Sequence, residues 1–170
     1  MKYNYKTLYE KNATFYQARP VLQHALQPVS HVITGLCGLA YCILLYFAFT
    51  TPYPVATLIP LLSAPTLCFL IVCVLRLVVS RPRPYTEHGA NIIPLSKKKT
   101  DDANSFPSRH VACAFVIATV FLPLLPWVGI CLLVLSTLLA YVRFSLGLHY
   151  PSDLIIGALI GILCGLWMFI

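Results

Sequence analysis

The stretch SRHVACAFVIATVFLPLLPWVGICLLVLSTLLAYVRFSLGLHYPSD, residues 108–153, holds two long apolar runs bounded by polar clusters. Ser108, Arg109 and His110 open it, Arg143, His149 and Asp153 close it, and Leu125-Pro126 breaks it in the middle. An α-helix needs about 17–25 predominantly apolar residues to cross a bilayer, so each run is long enough for one span. A span out and a span back return the chain to the face it left. The hairpin therefore carries its first and last polar residues to one membrane surface.

Working outward, the spans fall at about 30–50, 56–79, 108–125, 127–147 and 152–170 by the same length requirement. Thr50-Thr51-Pro52-Tyr53-Pro54 is a tight turn by its prolines, and residues 80–107 form one long connection rich in Pro, Lys, Asp and Asn. The second span ends near Arg76 to Arg83 and the third begins at Ser108, so the 76–83 cluster also reaches the face of the hairpin's ends. Gly157, Gly161 and Gly165 recur every four residues in the last span, a spacing that lets two helices approach closely. Residues 1–29 mix Tyr3, Tyr5, Leu8, Phe15 and Tyr16 with Lys2, Lys6, Lys11 and Arg19, the makeup of a helix lying in the headgroup region. Pro20 and Pro28 are expected to break or kink it. The expected fold is thus an all-α integral membrane protein. About five transmembrane helices in one bundle (30–170) follow an N-terminal interfacial amphipathic helix (1–29).

Composition agrees. Of 170 residues 59% are hydrophobic and 10% charged, against about 25% charged in a soluble domain. The net charge of +7 has no basic stripe interleaved with solvent-facing aromatics, which argues against nucleic acid and for anionic headgroups or a phosphorylated substrate. All seven cysteines lie inside apolar runs without paired metal-ligand or redox spacing, so they read as small buried hydrophobes. Met1 to Thr14 is too polar for the apolar core of a cleavable signal peptide.

Guanidinium groups, imidazoles and a carboxylate are expensive near a bilayer, which makes the three clusters functional candidates. In His149-Tyr150-Pro151-Ser152-Asp153, the proline suits the first turn of a helix and places Asp153 in that turn. Its carboxylate can accept a hydrogen bond from one nitrogen of His149 and leave the other nucleophilic. Ser108 stands where it can cap the next helix, whose free N–H groups form an anion site, with His110 placed to protonate a departing oxygen. Arg76 and Arg83 lie two helical turns apart, on one side if the helix extends past Val79, and Arg143 joins them. Arginine meets phosphate oxygens bidentately. Arg81 and Lys97, Lys98 and Lys99 read instead as snorkelling or solvated side chains.

These clusters resemble the three motifs of the type 2 phosphatidic acid phosphatase superfamily, membrane lipid phosphatases related to vanadium haloperoxidases. The family's lysine, six residues, then Arg-Pro appears here as Arg76, six residues, then Arg83-Pro84. Its Pro-Ser-Gly-His appears as Pro107-Ser108-Arg109-His110. Its Ser-Arg, five residues, His, three residues, Asp appears as Val142-Arg143, then His149, then Asp153. Three positions depart: Arg76 for lysine, Arg109 for glycine, Val142 for serine. The family often has six spans where this chain shows five.

The resemblance implies an active, metal-independent lipid phosphatase without cofactor, which passes through a phosphohistidine, and the chain's small size, without eukaryotic extensions, suggests a bacterial enzyme. His149 attacks phosphorus, Asp153 orients its ring, and His110 protonates the leaving oxygen and then activates water. Arg76, Arg83, Arg143, Ser108 and the backbone N–H of Arg109 hold the phosphoryl oxygens. Substrates in keeping with it are phosphatidic acid, phosphatidylglycerol phosphate, an isoprenyl diphosphate or a lipid A phosphate. Rival readings are a phosphotransferase using the same site and a non-catalytic protein that binds anionic lipid. Location in the bacterial inner membrane is expected. All Lys and Arg fall on the site's face, which by the positive-inside rule points it to the cytoplasm. Family precedent points it outward, and the outward placement is the expectation adopted.

Overall fold

A computed structural model describes residues 5–52, 54–84 and 104–170. Lys2, Tyr3, Tyr53, Lys97, Lys98, Lys99 and most of the long connection lie outside the described residues. All described secondary structure is helical: α1 Tyr5–Gln17, α2 Pro20–Thr50, α3 Val55–Val78, α4 Arg109–Phe121, α5 Pro126–Ser145 and α6 Pro151–Gly165, the last continued by a 3-10 turn over Leu166–Phe169. Three of these helices begin on a proline, at Pro20, Pro126 and Pro151. A fixed φ and a missing N–H carry no penalty there.

Among the described residues, four helices are long and apolar enough to cross a membrane: α2, α3, α5, and α6 with its 3-10 turn. At 13 residues, α4 rises only about 20 Å, less than the roughly 30 Å hydrocarbon core. It is the central helix, packed on α3, α5 and α6, with Val111, Ala112, Val116 and Val120 all enclosed. Protein rather than lipid surrounds it, and the Leu122–Leu124 turn extends it towards the far end of the bundle.

The bundle is apolar outside and through most of its core, and its buried polar groups gather towards one end. Val21, Leu77, Val78 and Trp127 are among its most exposed side chains, while Ser105, Ser108, Arg143, His149 and Asp153 are buried. A continuous apolar exterior of this extent is a lipid-facing surface. The chain is an integral membrane protein. Cys37, Cys68 and Cys164 are buried as expected, but Cys42 and Cys131 face outward, where lipid solvates a thiol as well as a core does.

The small-residue stripe packs α6 onto α4. A Cβ on Gly157 would come within 2.9 Å of the Ser108 carbonyl, one on Gly161 would strike the Ala112 carbonyl, and one on Gly165 would meet Thr119. The glycines therefore set how close the beginnings of α4 and α6, which carry Ser108 and Asp153, can come.

Residues 5–29 do not form one unit. The helix breaks at Ala18-Arg19, α2 starts at Pro20, and Pro28 lies inside it, so the boundary expected at residue 30 falls within α2. Pro20 starts a helix rather than kinking one, and a long apolar helix accommodates the bond lost at Pro28. The shorter α1 lies against the bundle: Tyr9, Ala13 and Tyr16, at i, i+4 and i+7, are buried, while Leu8 and Phe15 are exposed. Tyr9 packs on Gly147, whose φ of +72° suits only glycine and whose missing Cβ would stand 2.7 Å from the tyrosine hydroxyl. Tyr5 meets Tyr150 at 4.8 Å between ring centroids. Through these rings α1 supports the turn that carries His149.

Candidate active site

The site lies where three connections meet at one end of the bundle: Val79–Pro84, Asn104–Ser108 and Leu146–Tyr150. They are bonded together rather than merely adjacent. The Ser105 N–H donates to the Arg81 carbonyl at 2.8 Å, and the Ser108 N–H donates to the Asp153 carbonyl at 3.1 Å. Ser105 Oγ donates to the Pro82 carbonyl at 3.2 Å. Arg76, in the last turn of α3, donates to the Pro107 carbonyl at 3.2 Å and to the Asn104 carbonyl. Asn104 Nδ2 returns a bond to the Arg76 carbonyl at 2.7 Å. Arg76 thus braces the second connection.

His149 is 4% exposed and its Nδ1 lies 2.8 Å from the Ser105 carbonyl. A carbonyl only accepts, so Nδ1 carries the proton and Nε2 keeps its lone pair. Burial, reinforced by the charges of Arg83 and Arg143, lowers the imidazole from its usual range to about 3. At neutral pH the ring is uncharged, the form a nucleophile requires.

Asp153 is not the partner expected for that nitrogen. Its Oδ2 is 4.0 Å from His149 Nδ1, beyond hydrogen-bond range. Instead Oδ2 accepts the Tyr150 N–H at 3.1 Å and Oδ1 accepts from Arg81 at 2.7 Å. The helix start explains the difference. A carboxylate three residues into a helix reaches back to the N-cap amide, and the Ser105 carbonyl already occupies the imidazole. Asp153 acts on His149 by holding the turn beside it.

Arg81, read from sequence as a snorkelling side chain, is a component of this site. Besides Asp153 it donates to Ser152 Oγ at 2.8 Å and lies 4.0 Å over the Tyr150 ring. An Arg-Pro-Arg-Pro run offers two arginines five and seven residues after Arg76, and spacing alone does not say which faces inward. Arg83 does not continue α3, which ends at Val78. It reaches the site from the extended segment instead, and its charge acts on both His149 and His110.

The remaining cluster members converge on the same place. Arg143, near the end of α5, is 9% exposed and acts on both histidines. Ser108 occupies the N-cap position of α4, but its hydroxyl makes no capping bond. Ser108 Oγ and Arg143 Nε are both buried with no hydrogen-bond partner among the described residues. Orphaned donors of this kind carry a desolvation penalty of about 1–3 kcal/mol each, more for the charged one, which an anion would relieve. The first N–H groups of α4 likewise lack carbonyls within the helix. Arg109 and His110 are exposed and face a groove in the bundle.

The sequence model of the PAP2 superfamily matches residues 57–170, from the start of α3 to the last residue. The chain belongs to the PAP2 superfamily. The lipid A 4'-phosphatase of Bacteroides thetaiotaomicron is 34% identical over 99 residues, covering 56% of this chain and 44% of that relative. The match thus spans less than half of the relative's length. The crystal structure of Aquifex aeolicus LpxE superposes with a TM-score of 0.71 at 26% identity, over 96% of this chain and 93% of the other. The first transmembrane PAP2 type phosphatidylglycerolphosphate phosphatase from Bacillus subtilis superposes with a TM-score of 0.73 over 97% and 82% of the two chains. At 22% identity that likeness is one of fold.

Two departures from the PAP2 motifs find a structural account. Arg76, in the lysine position, uses its planar fork to clamp two carbonyls of the Asn104–Ser108 connection, which a single ammonium could not bridge in the same geometry. Val142, in the serine position, is buried with Tyr16, Leu26, Leu146 and Leu148, so packing replaces the lost hydroxyl.

Proposed function

We propose that this PAP2 protein is a lipid phosphatase, which removes a phosphate from a membrane lipid through a phosphohistidine on His149. The observation that carries the reading is the buried, neutral His149, with Nδ1 committed to the Ser105 carbonyl and Nε2 available. Nε2 attacks phosphorus in line, the bond from phosphorus to the lipid oxygen breaks, and His110, which takes up a proton as the substrate's phosphate offsets the charges of Arg83, Arg109 and Arg143, gives that proton to the oxygen. Neutral His110 then takes a proton from water, the water oxygen attacks phosphorus, and the N–P bond breaks to release inorganic phosphate. Arg83, Arg143, Ser108 and the amides that open α4 hold the phosphoryl oxygens and the charge that develops on them. Arg76 supports them, chiefly by holding the Asn104–Ser108 connection in place. The arginines supply the positive charge for a metal-independent reaction. The similarity to a lipid A 4'-phosphatase favours a phosphate on lipid A or a related glycolipid, with phosphatidylglycerol phosphate next.

The test is phosphate release by purified protein from a panel of lipid phosphates, with and without chelator. Expected are turnover unaffected by chelator and its loss in His149→Ala. Turnover surviving in His149→Ala overturns the nucleophile, and loss with chelator overturns metal independence. Labelled lipid product without free phosphate would make the protein a phosphotransferase. We place the protein in the bacterial inner membrane with the site on the extracytoplasmic face, following family precedent. Modification of a Lys98→Cys variant, in a background without native cysteines, by an impermeant maleimide on intact cells supports that side. Protection until lysis reverses it.

A further inference from the structure

A groove of about 350 Å3 runs into the bundle from the mouth of the site, walled by α2, α3 and α4. Arg109 and His110 stand at its polar end, and Cys37, Gly38, Phe69 and Ile117 line it farther in. Both α2 and α4 start at the site's face and run the same way. From Arg109 to Ile117 the groove therefore descends about 12 Å along the helix direction, at 1.5 Å per residue. Three residues beyond Gly38, Tyr41 Oη donates to the Leu61 carbonyl at 3.0 Å and joins α2 to α3. The cavity is polar at the membrane surface, apolar at depth, and aligned with the direction of a lipid's own chains.

Gly38 has no packing reason to be glycine. A Cβ built there meets nothing within 4 Å, in contrast to Gly157, Gly161 and Gly165, whose missing side chains let α6 approach α4. Glycine in a helix interior is less favourable than alanine by roughly 0.5–1 kcal/mol, and no helix contact compensates for it here. What glycine provides is width on the groove wall.

We propose that this groove seats one hydrocarbon chain of the substrate's leaving group, with Arg109 and His110 meeting the headgroup above it. The proposal rests on the lipid-phosphatase reading. In that reading His110 protonates the departing lipid oxygen, so the lipid leaves from the side that His110 occupies, and the groove is the apolar space continuous with that side. Arg109 stands where the PAP2 motif keeps glycine and adds a cation at the mouth, suited to a headgroup carrying further negative charge. The substrate class is a lipid phosphate whose chain is buried in the enzyme during turnover.

The experiment adds bulk where the structure has room. Gly38→Trp and Gly38→Leu are purified in micelles beside the wild type and beside Gly35→Trp, a control whose own position also has open space but lies off the groove. Each is assayed on a long-chain lipid phosphate and on water-soluble phenyl phosphate. Filling the groove displaces several methylenes, so Gly38→Trp is expected to lower kcat/KM about tenfold or more on the lipid and less than about twofold on phenyl phosphate. Gly35→Trp is expected to leave both rates unchanged. Wild-type turnover of the lipid with no selective loss in either Gly38 variant overturns the groove and leaves the phosphatase standing. Equal losses on both substrates also overturn it, because the added bulk would then be acting on the fold or the phosphoryl site. A wild type that hydrolyses neither substrate overturns the phosphatase reading itself.

Discussion

Replacing Arg81 by methionine is expected to harm this protein more than replacing Asp153 by asparagine, although each change removes the same ion pair. The two groups are 2.7 Å apart, but their surroundings differ: the Arg81 side chain is 34% exposed and that of Asp153 is 0% exposed. Breaking a fully buried pair by removing one partner costs about 3–5 kcal/mol, whereas an exposed pair is worth at most about 1 kcal/mol. With the arginine one-third in contact with the headgroup region, Arg81→Met falls between these limits, at about 2–3 kcal/mol. It leaves an enclosed carboxylate short of its cation and removes the stacking on Tyr150. Asp153→Asn leaves a guanidinium that can turn outward, and the amide oxygen can still accept the Tyr150 N–H, so about 1–2 kcal/mol is expected. The double variant should fall short of the sum by about 1 kcal/mol or more, because the second change has no pair left to break. Unfolding in mixed micelles by dodecyl sulfate titration, followed by circular dichroism, measures all three. Both single variants should also lower kcat with KM little changed, since the pair holds the turn that aims His149. Asp153→Asn costing as much as Arg81→Met, or strict additivity of the two, would sink this reasoning.

Gly161→Ala is expected to destabilise by about 1–3 kcal/mol because its methyl meets the α4 backbone, whereas Gly35→Ala should stabilise by about 0.5–1 kcal/mol; the same titration reads both. For His149, nitrogen-15 NMR of histidine-labelled protein should show one neutral ring with its proton on Nδ1 from pH 8 to 5, and a midpoint near 6.5 would refute the burial argument. Because its folded pKa of about 3 lies below the unfolded value, the unfolded chain binds the proton first as pH falls. This group's contribution is therefore constant above about pH 6.5 and declines below it by roughly 1.4 kcal/mol per pH unit until about pH 3. Inorganic phosphate at about a hundredfold above its Kd should stabilise the protein by about 2.7 kcal/mol, and Arg143→Met should remove most of that shift by taking away one of the two orphaned donors. An undiminished shift in Arg143→Met would show that the anion binds elsewhere.

Much of the site was legible in the chain. Arg76, Ser108, Arg109, His110, Arg143, His149 and Asp153 stand at the ends of apolar runs, where ionisable groups are too costly to be incidental. An odd number of crossings between the clusters would have scattered them over two faces. The even number gathers them at one, as the hydrogen bonds among Ser105, Arg81, Ser108 and Asp153 show. Arg81 and Arg83 were harder to tell apart, since both flank prolines after α3. The end of the helix at Val78 sets which way each points. The partner of His149 was not legible either, because a backbone carbonyl leaves no trace in residue identity.

The order of apolar runs, turns and polar ends by itself determined that this is a helical membrane bundle with its charged residues on one surface. Length against bilayer thickness and the cost of buried charge are properties of composition and spacing, and they need no coordinates. Only the tertiary structure decided that the Ser105 carbonyl rather than Asp153 accepts the hydrogen bond from His149 Nδ1, that Arg81 joins the cluster, and that α1 lies against the turn that carries His149. Those outcomes rest on differences of about an ångström between connections remote in the chain, as between 2.8 Å and 4.0 Å at His149 Nδ1. Helix packing sets such distances, above all the close contact of α4 and α6 that the glycines permit.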